Sequence, residues 1–387
     1  MTDPVKAGPL QGIKVIELGQ LIAGPFCGQL LGDMGAEVVK IEAPGAGDPM
    51  RNWGQGKTPV WWQVIARNKL SVALDLRSPD GQQTLRDLAG QADILIENFR
   101  PGTLEKWNLD PVELRKINPG LIVVRVSGYG QTGPYASRAG FGGIGEAMGG
   151  WRAIVGEPDR APSRMGVSIG DSLAATYGCM GALAALHHRS ESGQGQIVDA
   201  SLYESVLQVM ESLIPEYAVA EHKRTRTGSV LPGIAPSNVY PCSDGEYLIG
   251  ANQDAVFARL CKAMGRAELA EDARYSTHLA RGEHQVELDA LIGEWTSQLT
   301  VAQVEAAMIE HGVPAGRIFD AQDMLEDPHF RAREAVVTLD HPDYGPVPMQ
   351  GVFPKLSATP GSVRKLAPRE IGEDNADVLQ RWLGRTE

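Results

Sequence analysis

The stretch Ile13-Lys14-Val15-Ile16-Glu17-Leu18-Gly19-Gln20-Leu21-Ile22-Ala23-Gly24-Pro25 and its continuation Gly35-Ala36-Glu37-Val38-Val39-Lys40-Ile41-Glu42 decide the fold class. Ile13 to Leu18 has the pattern of a short buried strand, Gly19 to Gly24 that of a turn, and Pro25 suits the first turn of a helix reaching about Met34. Gly35 ends that helix, and Ala36 to Glu42 is a second strand. A strand, a crossover helix and a strand of this length make a βαβ unit, with parallel strands whose carboxyl ends face ligands.

Outward from that unit the alternation continues. Val72 to Leu76, Ile94 to Glu97, Leu121 to Ser127 and Ile197 to Ala200 read as strands, and Pro79 to Gln91 and Pro111 to Ile117 as helices. This predicts a doubly wound α/β domain over roughly the first 200 residues. The loop Gly128-Tyr129-Gly130-Gln131-Thr132-Gly133-Pro134 is long and glycine-rich enough to carry function. A helix is expected from Leu202 to Glu221, then a basic linker from His222 to Ser229. Beyond the linker lie a strand at Tyr247 to Gly250 and helices at Ala255 to Met264, His284 to Leu299 and Val301 to His311. The tail, with Pro342, Pro346, Pro348, Pro354, Pro360 and Pro368, reads as extended coil. The expected organisation is 1–221, 222–330 and 331–387, the middle part being a smaller domain.

The chain has 387 residues and a formal net charge of −12, which argues against a nucleic-acid or anionic-membrane partner. Cys27, Cys179, Cys242 and Cys261 show neither CxxC nor zinc-ligand spacing, so free thiols in a reducing, cytoplasmic setting and no metal are expected. The opening MTDPVKAGPL lacks a basic-then-apolar signal, and no run of 18 apolar residues occurs.

Two carboxylates stand where chemistry could occur. Glu42, ending the second strand, is where a dinucleotide fold holds a ribose hydroxyl. The first turn, however, lacks G-x-G-x-x-G, and the later string Gly140-Phe141-Gly142-Gly143-Ile144-Gly145 follows a loop instead of a strand, so a nicotinamide dehydrogenase is disfavoured. Asp171, in Met165-Gly166-Val167-Ser168-Ile169-Gly170-Asp171-Ser172-Leu173-Ala174-Ala175, sits at the start of a helix rich in small residues. It reads as a helix cap or as a nucleophile favoured by the helix's positive end and open to close approach.

Taken together, Ala23-Gly24-Pro25, Gly35-Ala36-Glu37-Val38-Val39-Lys40-Ile41-Glu42, Asn68-Lys69, Glu97-Asn98-Phe99-Arg100-Pro101-Gly102, Gly128-Tyr129-Gly130, Gly170-Asp171-Ser172, Gly193-Gln194-Gly195-Gln196 and Ile371-Gly372-Glu373 resemble the class III CoA-transferases in order and spacing over nearly the whole chain. The resemblance implies a Rossmann-like large domain formed by both chain ends, an inserted small α+β domain, and an interlocked homodimer. It implies that Asp171 is the nucleophile, relaying CoA through an aspartyl anhydride and an aspartyl-CoA thioester. By position it assigns Leu21, Ile22 and Ala23 to the adenine or pantetheine path and Leu74 to Arg77 to the next wall. Asn98, Phe99 and Arg100 would flank the phosphates, with Lys106 nearby. Ala43 stands where relatives can carry a CoA-contacting Arg, and Arg138 is the candidate to replace that charge. CoA and acyl-CoA are then substrates, and no permanently bound cofactor is implied.

The same superfamily contains 2-methylacyl-CoA racemases, which need two opposed acid/base groups and carry a His where this chain has Phe141. The racemase is the alternative, and a non-catalytic acyl-CoA-binding protein the third reading. The glycine-rich lid of the oxalate enzymes is missing; Gly228 to Asn238 occupies roughly that region. Arg51, Arg164 and Arg226 are candidates to pair with a second carboxylate. The expected reaction takes CoA from an acyl-CoA such as succinyl-CoA to a C4 or C5 dicarboxylate.

Overall fold

The computed structural model describes residues 8–54 and 59–385, in two compact units. The first takes in the described residues up to 151 together with 165–222 and 329–385; the second is Arg152–Arg164 with Lys223–Pro328.

The first unit is built on six parallel strands, β1 (Lys14–Glu17), β2 (Glu37–Glu42), β3 (Lys69–Ala73), β4 (Ile94–Glu97), β5 (Ile122–Ser127) and β6 (Ile197–Ser201). Their order is β3-β2-β1-β4-β5-β6. Alternate residues feed two separate cores. Val15, Val38, Ile96, Val124 and Val126 face one side, while Ile16, Val39, Leu95 and Val123 face the other. Strands buried on both faces must be apolar at nearly every position, and each such side chain contributes about 1.5–3 kcal/mol of burial.

The helix Ile169–Ser192 covers the first face, burying Ala174, Ala175, Gly178, Ala182 and Ala185. A Cβ at Gly178 would stand 3.2 Å from Val124 Cγ1, so small residues let this helix lie close on β5. Its length and hydropathy would also suit a membrane span, but one stripe of it is spent on the sheet. The opposite face carries the helices Pro79–Ala89 and Asn375–Leu383, the latter burying Val378 and Trp382.

Several boundaries differ from expectation. β3 starts at Lys69 because its pairing with β2 runs from Val38↔Lys69 to Glu42↔Ala73. The helix expected over Leu202 to Glu221 is two helices, Leu202–Leu207 and Leu213–Ala220, broken where Glu211 adopts φ 53° and cannot continue the hydrogen-bond ladder. The proline-rich tail is not plain coil. β10 (Val336–His341) and β11 (Gly345–Gln350) form an antiparallel ribbon. Pro346 and Pro348 lie two apart, so their missing N–H groups fall on the same outer edge, where no partner needs them. The tail also closes the open edge of β3: Asp374 accepts from Ser71 N and Asn375 from Ala73 N, each at 2.8 Å.

The second unit holds the antiparallel sheet β7 (Ser237–Cys242), β8 (Gly245–Gly250) and β9 (Ala315–Arg317). The helices Asp254–Ala263, Gln285–Thr296 and Val301–His311 pack on it around Tyr240, Ile249, Phe257, Leu288 and Val304. The sequence pattern revealed β8 but not β7, which begins at the end of the stretch Gly228 to Asn238.

Candidate active site

In the order β3-β2-β1-β4-β5-β6, the chain returns to one side after β1 and to the other after β4. The crevice between their carboxyl ends is where doubly wound sheets take ligands. The turn Gly19 to Gly24 lies there, and it and the following Pro25 are anchored at four points. Lys40 Nζ donates to Gly19 O at 2.8 Å, and Lys69 Nζ to Pro25 O at 2.7 Å. Asn98 clasps Gln20, accepting from its N–H at 2.8 Å and donating to its carbonyl at 2.9 Å. Leu21 N donates to Asp48 Oδ1 at 3.1 Å. These contacts hold Leu21 at φ 63°, a conformation that costs an L-residue about 1–2 kcal/mol.

The two lysines belong to a buried charge cluster. Lys40 pairs with Glu17 and Asp48, both at 2.8 Å, and Lys69 with Glu17 at 2.7 Å. Burial works against the Lys40 ammonium, but Glu17 and Asp48 outweigh it and raise its pKa; for Lys69 burial wins and the pKa is lowered. A Cβ at Gly28 would meet Glu17 Oε2 at 2.1 Å, so the glycine leaves room for the cluster beneath the helix Ala23–Asp33. Lys40 and Lys69 stand in the strings that carry the family resemblance, but the sequence reading assigned no role to them or to Glu17. Their signal was present, since charges inside otherwise apolar parallel strands have to find partners.

The residues assigned to CoA line up along this carboxyl edge. Leu21 and Ile22 are half-buried and Ala23 is buried at the start of its helix; Leu74 is half-buried past the end of β3. Phe99 meets Trp107 edge-on at 5.2 Å, and the Arg77 guanidinium lies 6.0 Å from the Trp107 ring centroid, linking the ends of β3 and β4. Arg77, Arg100 and Lys106 are exposed. Asn98 differs from its assignment beside the phosphates in one respect: its amide is engaged by Gln20 on both sides. Arg138 is exposed in the loop after β5 and stacks 3.6 Å over Tyr135.

Asp171 is the third residue of the helix Ile169–Ser192, with Ser168 in the cap position, so the simple N-cap reading does not describe it. In a crossover unit this helix runs against the strands, which places its N-terminus at the carboxyl edge. The carboxylate is half-exposed. It lies against Gly142, where a Cβ would come within 2.1 Å of Asp171 Oδ2. Phe141, 69% exposed, precedes Gly142 as the cap residue of the helix Gly142–Met148. It has no proton to move, which removes the histidine a racemase would use there.

Two of the three arginines proposed for a second carboxylate are engaged elsewhere. Arg51 pairs with Glu42 through Nε at 2.8 Å and Nη2 at 2.7 Å, donates to the carbonyls of Pro368 and Arg369, and stacks on Trp62. Glu42 also accepts from Ser71 Oγ at 2.6 Å, so it is not free for a ribose hydroxyl. Burial raises the Glu42 carboxyl, yet the bonds from Arg51 and Ser71 outweigh that and hold its pKa below the ordinary value. Arg226 donates to the carbonyls of Glu157, Pro158 and Arg160 and fastens that loop. Arg164 is exposed, with no ion pair or hydrogen bond among the described residues. Among the described residues no group of three or more His, Cys, Asp or Glu side chains is placed to hold a metal.

The sequence pattern described as CoA-transferase family III matches residues 10–375. The chain belongs to this family. It is 57% identical, over 98% of its own length and 95% of the relative's, to the succinyl-CoA–D-citramalate CoA-transferase of Chloroflexus aurantiacus. It is 36% identical, over 98% of its length and 97% of the relative's, to the succinate–glutarate CoA-transferase of Agrobacterium fabrum. Among solved structures, a CaiB/BaiF family protein from Brucella suis superposes with a TM-score of 0.85 at 34% identity, covering 97% of this chain and 100% of that one. The family III protein is thus an enzyme of the transferase class, on a mixed α/β fold with a large parallel sheet and a small antiparallel one.

Proposed function

We propose that this CoA-transferase moves CoA from succinyl-CoA to a C4 or C5 dicarboxylate, with citramalate the first candidate, and that Asp171 is the relay. The 57% identity to a succinyl-CoA–D-citramalate transferase over nearly both full lengths supports the substrates. The observation that carries the relay is the position of Asp171: a half-exposed carboxylate in the first turn of a helix at the carboxyl edge, hard against a residue without a side chain.

The chemistry balances with one enzyme carboxylate. A lone pair of an Asp171 oxygen attacks the thioester carbonyl, the C–S bond breaks, and CoA leaves as thiolate from a mixed anhydride. The thiolate then attacks the Asp171 carbonyl carbon, releasing succinate and leaving an aspartyl-CoA thioester. The acceptor carboxylate repeats the sequence in reverse, taking the acyl role, and the thiolate ends on the acceptor. Overall one CoA thioester is exchanged for another of similar energy, and covalent relay replaces one difficult exchange by easier ones. The helix's positive end favours the carboxylate that must leave at the close of each cycle.

CoA lies along Leu21 to Ala23, Leu74 to Arg77 and Asn98 to Arg100, with Arg77, Arg100 and Lys106 supplying positive charge for its phosphates and Arg138 standing apart. No resident cofactor is required. The large domain is made from both chain ends with a small domain inserted, and the enzyme works as a homodimer. What supports a covered face is the helix Leu213–Ala220, apolar yet with no buried residue: Ile214, Tyr217 and Val219 are exposed. Four unbridged cysteines fit a cytoplasmic enzyme.

Asp171→Asn tests the relay, because an amide keeps the shape but cannot displace thiolate. The variant is expected to fold, bind CoA and lose about 10⁴ to 10⁶-fold in turnover. Wild type held with succinyl-CoA and no acceptor should carry a hydroxylamine-sensitive adduct on the Asp171 peptide. Retention of more than about a tenth of wild-type turnover would overturn the relay. Mass spectrometry of a panel of mono- and dicarboxylate acceptors tests the substrate class, and faster turnover of monocarboxylates would reject it.

A further inference from the structure

We infer that Gly142 is a positioning residue: the space left by its missing side chain is the seat of the Asp171 carboxylate and sets the direction from which that carboxylate attacks. The inference rests on the reading of Asp171 as relay. An ideal Cβ at residue 142 would lie 2.1 Å from Asp171 Oδ2, 2.9 Å from its Cγ and 3.4 Å from Oδ1. Real Cβ atoms essentially never approach a heavy atom within 3.0 Å. The carboxylate therefore occupies volume that any other amino acid at 142 would fill.

The neighbouring backbone has little room to yield. The helix Gly142–Met148 is wedged through two further glycines: a Cβ at Gly145 would stand 2.7 Å from Leu202 Cβ, and one at Gly149 would stand 2.6 Å from Val206 Cβ. On the other side, a Cβ at Gly170 would stand 2.8 Å from the Gly142 carbonyl oxygen. The helix is thus held against the helix Leu202–Leu207 from its middle to its end, and at its start against the residue preceding Asp171. Gly142 itself has no left-handed φ, so alanine fits its backbone conformation. What gives way on substitution is the short Asp171 side chain. Moving Oδ2 from 2.1 Å to an ordinary contact of 3.4 Å displaces it by at least about 1.3 Å. A misplacement of about 1 Å at a reacting group can cost about 100-fold in rate.

The test compares Gly142→Ala, Asp171→Ala and the double variant, with Asp171→Asn as the reference for the relay. Gly142→Ala is expected to lower kcat about 100-fold while the KM for succinyl-CoA changes little. It should also slow formation of the hydroxylamine-sensitive adduct. Thermal midpoints separate a carboxylate clash from a merely structural defect. Gly142→Ala should lower the midpoint in wild type. In the Asp171→Ala background it should leave the midpoint unchanged or raise it, because alanine favours a helix over glycine once the clash is gone. Wild-type turnover by Gly142→Ala would overturn the inference, and so would an equal fall of the midpoint in both backgrounds. If Asp171→Asn is active, the relay itself fails. If Asp171→Asn is inactive but Gly142→Ala is not impaired, only the role of Gly142 fails.

Discussion

Replacing Lys40 with methionine tests whether the buried cluster beneath the β1 turn holds that turn in place. The side chain is 1% exposed and makes three contacts at 2.8 Å, with Glu17, Asp48 and the carbonyl of Gly19. Two ammoniums and two carboxylates balance in the native cluster. Methionine keeps most of the volume but leaves Glu17 and Asp48 with Lys69 alone. Removing one member of a buried ion pair costs about 3–5 kcal/mol, because an uncompensated charge remains in a low-dielectric interior. For a unit of this size each kcal/mol shifts the melting midpoint by about 2–4 °C, so a fall of roughly 6–20 °C is expected. The raised pKa of Lys40 gives the sign of the pH dependence. Its contribution is complete below the unfolded lysine value of about 10.4 and disappears only as pH rises through the higher folded value. The comparison therefore belongs at neutral pH, by thermal or urea unfolding. Lys40→Met/Glu17→Gln restores charge balance and should recover much of the loss. A single variant within about 1 kcal/mol of wild type, or a double variant that adds the two losses, would refute the charge-balance argument.

Further outcomes follow from the same contacts. Asn98→Ala removes two half-exposed hydrogen bonds to Gln20, together worth about 1–2 kcal/mol, and releases Leu21 from its left-handed conformation. The KM for acyl-CoA should rise about tenfold with kcat nearly unchanged, and an unaltered KM would show that the turn does not depend on this clasp. Arg51→Leu should lower thermal stability without changing the KM for the acceptor, because its guanidinium is committed to Glu42; a selective loss of acceptor affinity would contradict this. Since the pKa of Glu42 is depressed, its pairing stabilises the fold above the ordinary glutamate value of about 4.3 and is lost as pH falls through the lower folded value. Wild type should therefore lose more stability than Arg51→Leu on acidification below about pH 4, measured by urea midpoints.

The sequence by itself determined the sheet and its direction. Apolar runs at β1, β2, β4 and β5, separated by helix-length segments with Pro at their starts and Gly at their ends, permit little besides parallel βαβ units. The 3.6-residue and two-residue periods are local properties of the backbone. It also singled out Asp171 as a candidate, a carboxylate placed at a helix start among small residues, and the family strings supplied the CoA edge proposed above. The sequence left undetermined how residues far apart in the chain would share space. Nothing local distinguishes Arg51, bound to Glu42 and to carbonyls more than 300 residues away, from an arginine awaiting substrate. Nothing local says that Asn98 spends its amide on Gln20, that Glu211 breaks a helix, or that Asp374 and Asn375 seal the edge of β3. Gly142 shows the difference most clearly. In sequence it is one glycine of a weak repeat; folded, it borders the Asp171 carboxylate from 29 positions away. Period and punctuation are written along the chain, whereas partners for charges and clearances around a carboxylate exist only once tertiary packing has brought the elements together.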